Sequence, residues 1–217
     1  MYTDIEIKRR VDEELRWEPR VDAANIGIAV EDGVVTLTGS VDSWAEKWAA
    51  EHAAKRVTGV AAIVEHIEVR LPVHAQRTDA DIARAAANAL TWNTWVPADC
   101  VKVKVEEGWV NLEGGVAAQH QKRAAEEAVR TLTGVRGVTN LIDISPAVRA
   151  GGVKESIRLA FERSASLDLG KIEVDVEGDT VSLHGTVRSL AEREDAEDAA
   201  WSAPGIADVN NLLVVSR

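Results

Sequence analysis

Apolar residues recur along the chain with two periods. Ile7, Val11 and Leu15 stand four apart, the spacing of one helical face. From Ile26 through Ile28 to Val30, and again at Val35 and Leu37, they alternate with other residues, as on a half-buried strand. The break at Glu31-Asp32-Gly33 reads as a β-hairpin turn. Ser43 followed by Glu46 has capping-box spacing and opens a second helix, whose stripe is Ala50, Ala53, Ala54 and Val57. Ile63, Ile67 and Val69 supply a last strand. The predicted order is helix, strand, strand, helix, strand.

The whole pattern then repeats twice without a gap. Adding 75 carries the helical face to Ile82, Ala86 and Leu90, and adding 146 carries it to Val153, Ile157 and Phe161. The hairpin falls on Val101, Val103, Val105, Val110 and Leu112, then on Ile172, Val174, Val176, Val181 and Leu183. Gly39 and Gly59, Gly114 and Gly134, and Gly185 and Gly205 keep a constant separation of 20. The expected fold class is therefore α+β: three tandem αββαβ modules at 1–71, 72–147 and 148–217, joined near Leu71-Pro72 and Ser145-Pro146. Because the second helix crosses between the second and third strands, those strands should be parallel. Each module is then a small mixed three-stranded sheet with two helices packed on one face.

Gly33-Val34-Val35-Thr36-Leu37-Thr38-Gly39 and Gly108-Trp109-Val110-Asn111-Leu112-Glu113-Gly114, with Val57-Thr58-Gly59-Val60 after the second helix, resemble the BON domain, the bacterial osmotic-stress and nodulation module. The third copy reverses the turn to Gly178-Asp179 but keeps Val181, Leu183 and Gly185. The resemblance implies a stress- or transport-associated protein that binds phospholipid or attaches to membranes without catalysis. Periplasmic members carry a signal sequence and commonly two copies, whereas this chain reads as three. A cytoplasmic member binds potassium, so the resemblance also admits ion binding. Met1 to Arg10 looks amphipathic without an apolar run, so the chain as written is expected in the cytoplasm, or in the periplasm if an upstream signal was removed.

Composition narrows the partners. A formal net charge of −11 and a pI near 5.0 oppose sequence-independent nucleic-acid binding. The middle third, with eight Lys/Arg against nine Asp/Glu, is close to neutral. No stretch approaches the apolar length of a transmembrane helix. Cys100 has no cysteine partner, and His52, His66, His74, His120 and His184 show no paired metal spacing, so neither a metal nor a cofactor is expected. No nucleophile with a positioned base is legible, and no catalytic residue is assigned. Gly33, Gly39, Gly59, Gly108, Gly114, Gly134, Gly178, Gly185 and Gly205 are read as structural, at turns and helix ends.

Seven tryptophans against one Phe and one Tyr are unusual. Trp44 corresponds to Gln119 and Leu190, and Trp48 to Arg123 and Glu194, so the two are expected as an exposed pair one turn apart. Such a pair suits either an external contact or packing against a neighbouring module. By strand parity, Lys102 and Lys104 share with Trp109 and Leu141 the sheet face away from the helices. A basic and aromatic patch there fits anionic lipid headgroups. The competing readings are a solvated face and, because Leu212 and Val214 occupy that face of the third copy, an inter-module or homo-oligomer contact. The leading expectation is weak multivalent binding to phospholipid surfaces, the alternatives being a protein-interaction scaffold and an ion-binding protein.

Overall fold

The structure, a computed structural model, describes residues 2–145, 171–203 and 205–216. The first module comprises α1 (Asp4–Trp17), β1 (Ile26–Glu31), β2 (Val34–Val41), α2 (Trp44–Lys55) and β3 (Ala62–Val69). The second repeats this order as α3 (Asp79–Trp92), β4 (Val101–Glu106), β5 (Trp109–Val116), α4 (Gln119–Arg130) and β6 (Gly137–Ile144). The third contributes β7 (Ile172–Glu177), β8 (Thr180–Val187), α5 (Leu190–Trp201) and β9 (Asp208–Val215). Its expected first helix at Val153, Ile157 and Phe161 lies outside the described residues.

Each sheet has three strands in chain order. The hairpin pairs are antiparallel, and β6 runs parallel to β5 and β9 to β8, with Trp109 opposite Gly137 and Thr180 opposite Asp208. The crossover helix imposes that direction, so the mixed sheet follows from the element order. Buried residues alternate along the middle strands: Val35 and Leu37, Val110 and Leu112, Val181 and Leu183 are all fully enclosed. Ala50, Ala53 and Ala54 in the first module, Ala125 and Val129 in the second, and Ala196 and Ala200 in the third are buried as well, all on the second helix of their copy. Small side chains there let the helix approach the sheet closely.

In the first two copies both hairpin residues adopt left-handed backbone, Asp32 with Gly33 and Glu107 with Gly108, as a two-residue primed turn requires. The amides of each turn donate to the aspartate that opens the module, Asp4 at 3.0 and 3.0 Å and Asp79 at 2.9 and 2.8 Å. The third copy puts Gly178 at the first turn position, and the sequence there has Ala150 where the others have that aspartate.

One group of glycines has a role other than the expected turn or helix end. Gly39, Gly114 and Gly185 lie inside the middle strands at φ 130°, 142° and 125°. A Cβ at these positions would run into the carbonyl oxygens of Asn25, Cys100 and Lys171, respectively. Close backbone approach, not a turn, excludes a side chain there.

The chain divides into two compact units. One takes residues 1–40 and 48–68 with the described part of 148–217; the other takes 41–47 and 69–147. In the first, Lys55 Nζ lies 2.7 Å from both Glu51 and Glu194, and the Gly59 amide donates to Arg188 O at 3.0 Å. In the second, residues 41–47 bring the end of β2 and the start of α2 together with the second module, and Arg70 N, just after β3, donates to Val41 O at 2.8 Å.

Candidate functional site

The two tryptophans of α2 have separate surroundings. Trp44 is half-buried against the core of the second module, and its ring lies 5.8 Å from that of Trp109. Its indole N–H is enclosed without an acceptor. Trp48 is half-buried and stacks on His52, with centroids 3.6 Å apart. The expected exposed pair is therefore not formed, and for Trp44 packing on a neighbouring module is the arrangement observed. Burial and the Lys55 charge push the His52 pKa below its ordinary value, with Glu194 pulling the other way.

Strand parity placed the open face of the second sheet correctly. Lys102, Lys104, Trp109 and Leu141 all project from it, with Trp109 43% and Leu141 56% exposed. The same face also carries Glu106, Glu113 and Asp143, because Glu113 lies opposite both Lys102 and Leu141 in the register. Lys104 Nζ pairs with Glu106 at 3.1 Å. Three carboxylates against two ammonium groups make a mixed face, not a basic one. Trp109 lies over Gly137, whose missing side chain makes room for the ring, and donates through Nε1 to Thr139 Oγ1 at 2.7 Å.

The most exposed large apolar residues are elsewhere. Trp17 ends α1 at 84% exposure and Trp92 ends α3 at 86%, with Trp95 just beyond at 66%. Trp17 and Trp92 occupy the same repeat position, two residues after the buried Leu15 and Leu90 and so outside the buried stripe. Each indole stands on an anchored neighbour. Asn93 donates to Ala124 O at 3.3 Å and accepts from Trp95 N at 3.0 Å, tying the end of α3 to α4. Its counterpart Glu18 is buried, and Arg20, helped by Arg56, holds its carboxyl down at about 2. Trp95 meets His120 edge-on at 5.8 Å, beside a shallow cleft of about 460 Å³ lined with Arg123, Ala124 and Glu127. No residue from Ala85 to Ala98 is charged, in a chain that is 28% charged.

A sequence model of the BON domain matches residues 3–70, 78–146 and 151–217. The chain belongs to the BON-domain family. Among curated proteins, osmotically-inducible protein Y of Escherichia coli (strain K12) is 30% identical over 141 residues, 63% of this chain and 70% of that protein. Two solved structures of CdsD, a structural protein of the Type III secretion system of Chlamydia trachomatis, align at 12% identity. They cover 100% of this chain and 100% of that chain at a TM-score of 0.27, and 95% and 90% at 0.26. Likeness at that level carries no argument.

Within the described residues of the BON modules, no helix is long and apolar enough to cross a membrane, and no three His, Cys, Asp or Glu are grouped to hold a metal ion. Cys100 is exposed just before β4. The tryptophans at the ends of the first helices do not stand out by differences between copies. Trp17 and Trp92 agree, and the signal was that agreement on the polar side of a helix.

Proposed function

We propose that this chain is a non-catalytic BON protein that attaches to phospholipid surfaces, chiefly through the Trp92 and Trp95 end of the second module, with Trp17 as a lesser contact. The carrying observation is the uncharged run from Ala85 to Ala98 with its two largely exposed indoles. An indole prefers the boundary between acyl chains and water, where its ring is desolvated and its N–H stays wet. Nearby charges would oppose entry, and this segment has none, whereas α1 carries charge along most of its length. A role in osmotic stress belongs to the same proposal and rests on the relative's name.

Since the chain is acidic, insertion of apolar surface leads the binding, and salt changes it little. An indole of about 200 Å² immersed to half its area contributes about 2 kcal/mol at about 25 cal/mol per Å². Removing both, about 4 kcal/mol together, therefore weakens partitioning on the order of 1000-fold. Co-sedimentation with phosphatidylcholine vesicles and with vesicles containing phosphatidylglycerol, at low and high salt, tests this. Trp92→Ala/Trp95→Ala is expected to lose binding, and Lys102→Ala/Lys104→Ala to keep it. Undiminished binding by the tryptophan variant would overturn the assignment, as would a wild-type protein that does not sediment with vesicles.

A further inference from the structure

The open sheet faces of the second and third modules have a relation that lipid attachment leaves unused. Lys102 and Lys104 on β4 correspond to Glu173 and Asp175 on β7, while the first module has Gly27 and Ala29 there. All four charged residues are exposed, on the outer strand of their sheet. Across each sheet, on the other outer strand, stands an exposed leucine at the same repeat position: Leu141 at 56% and Leu212 at 57%. The registers match, since Lys102 lies opposite Glu113 and then Leu141, and Glu173 opposite His184 and then Leu212. The two faces are thus the same template with the charged row inverted. Glu177 and Asp208 extend the acidic side of the third, and Lys171, just before β7, leaves it net acidic.

We infer that the second-module face of one chain docks on the third-module face of a second copy. With one sheet turned face down and its strands antiparallel to the other's, β7 lies over β4 and β9 over β6. The lysines then meet Glu173 and Asp175, Glu106 meets Lys171, and Leu212 lies over Thr139 beside Leu141. Trp109 adds aromatic area on the second-module side. The Lys104 to Glu106 pair is no obstacle: both side chains are about two-thirds exposed, and such a pair exchanges partners at little cost. Two different faces meet, so the contact is heterologous: it joins copies into a closed ring or an open chain, and no face pairs with itself. Opposite charge sets the register and partner choice of this contact, and salt weakens it.

Sedimentation velocity of the full chain over a concentration series, without lipid, reads the outcome. The wild type is expected to assemble reversibly, and less at high salt. Lys102→Glu/Lys104→Glu and Glu173→Lys/Asp175→Lys each give two like-charged faces and should weaken assembly about 10-fold or more. Mixing these variants restores two complementary contacts, the native pair of faces and the doubly reversed pair, so association should return in the mixture alone. The exposed positions leave the fold intact, which far-UV circular dichroism checks, and Trp92→Ala/Trp95→Ala should assemble like the wild type. A wild type that stays monomeric, reversal variants that assemble normally, or a mixture that stays apart would each overturn the inference.

Discussion

Trp44 and Trp109 come from different modules yet share one compact unit, which makes their contact measurable as a coupling energy. Full truncation of a buried tryptophan costs about 3 to 5 kcal/mol. Trp44 is only half-buried, so Trp44→Ala should cost about 2 kcal/mol. Trp109→Ala should cost a similar amount, since it uncovers Gly137 and ends the 2.7 Å bond to Thr139. At 5.8 Å and 56° the two rings have the tilted geometry that adds about 1 kcal/mol beyond area. The double variant should therefore lose about 1 kcal/mol less than the sum of the single losses. Trp44→Phe should come close to wild type, because the indole N–H has no acceptor to forfeit.

Urea unfolding followed by circular dichroism, which does not depend on the removed fluorophores, measures the four corners of that cycle. Trp48 stacks on His52 and belongs to the other unit, so Trp48→Ala with Trp109→Ala serves as the additive control. A coupling indistinguishable from that control would refute the claim that these rings hold one another. So would a Trp44→Phe loss as large as that of Trp44→Ala.

Two further outcomes follow from the packing. Glu18 is held at about 2 by Arg20 and Arg56, below its ordinary 4.5, so its pairing stabilises the fold above pH 4.5 and fades as pH falls toward about 2. Both arginines are well exposed, so the contribution is on the order of 1 to 2 kcal/mol, and the stability gap between wild type and Glu18→Gln should shrink over that window. An equal gap at pH 7 and near pH 2 would contradict it. Gly114→Ala should cost at least about 2 kcal/mol through its collision with the Cys100 carbonyl, while Gly115→Ala, with open space around its Cβ, should stay within about 0.5 kcal/mol. Comparable melting temperatures for the two would show that close approach does not fix Gly114.

The fold was legible because two independent periodicities agreed in every copy. Helical spacing at Ile7, Val11 and Leu15 and alternation at Val35 and Leu37 both lead to buried side chains. The capping positions were legible as well: Ser43 and Ser189 accept from Glu46 N and Glu192 N at 3.1 Å. Each glutamate reaches back one residue further than the expected box, to Asp42 N and Arg188 N. The surface was read less well, for a physical reason. That Gln119 replaces Trp44 in another copy shows what that copy tolerates, not whether a second module covers Trp44 in its own setting. The Lys102 and Lys104 patch failed differently, since the parity that gathered the lysines also gathers Glu106, Glu113 and Asp143.

These contrasts bear on how three copies work together. Three equivalent weak sites would gain by simple avidity, and each copy would then keep the same exposed chemistry. Instead the copies agree in their cores and diverge outside them. The first module has a charged helix ending in Trp17, the second an uncharged helix end with Trp92 and Trp95 and a lysine pair on its sheet, and the third a row of carboxylates at the lysine positions. At the position of Trp17 and Trp92 the third copy has Arg163. Similar cores with dissimilar faces suit a division of labour, in which one module meets the lipid and the sheet faces meet other copies. Under that arrangement the two surfaces act separately, so the charge-reversal variants should lose assembly yet still sediment with phosphatidylcholine vesicles through Trp92 and Trp95.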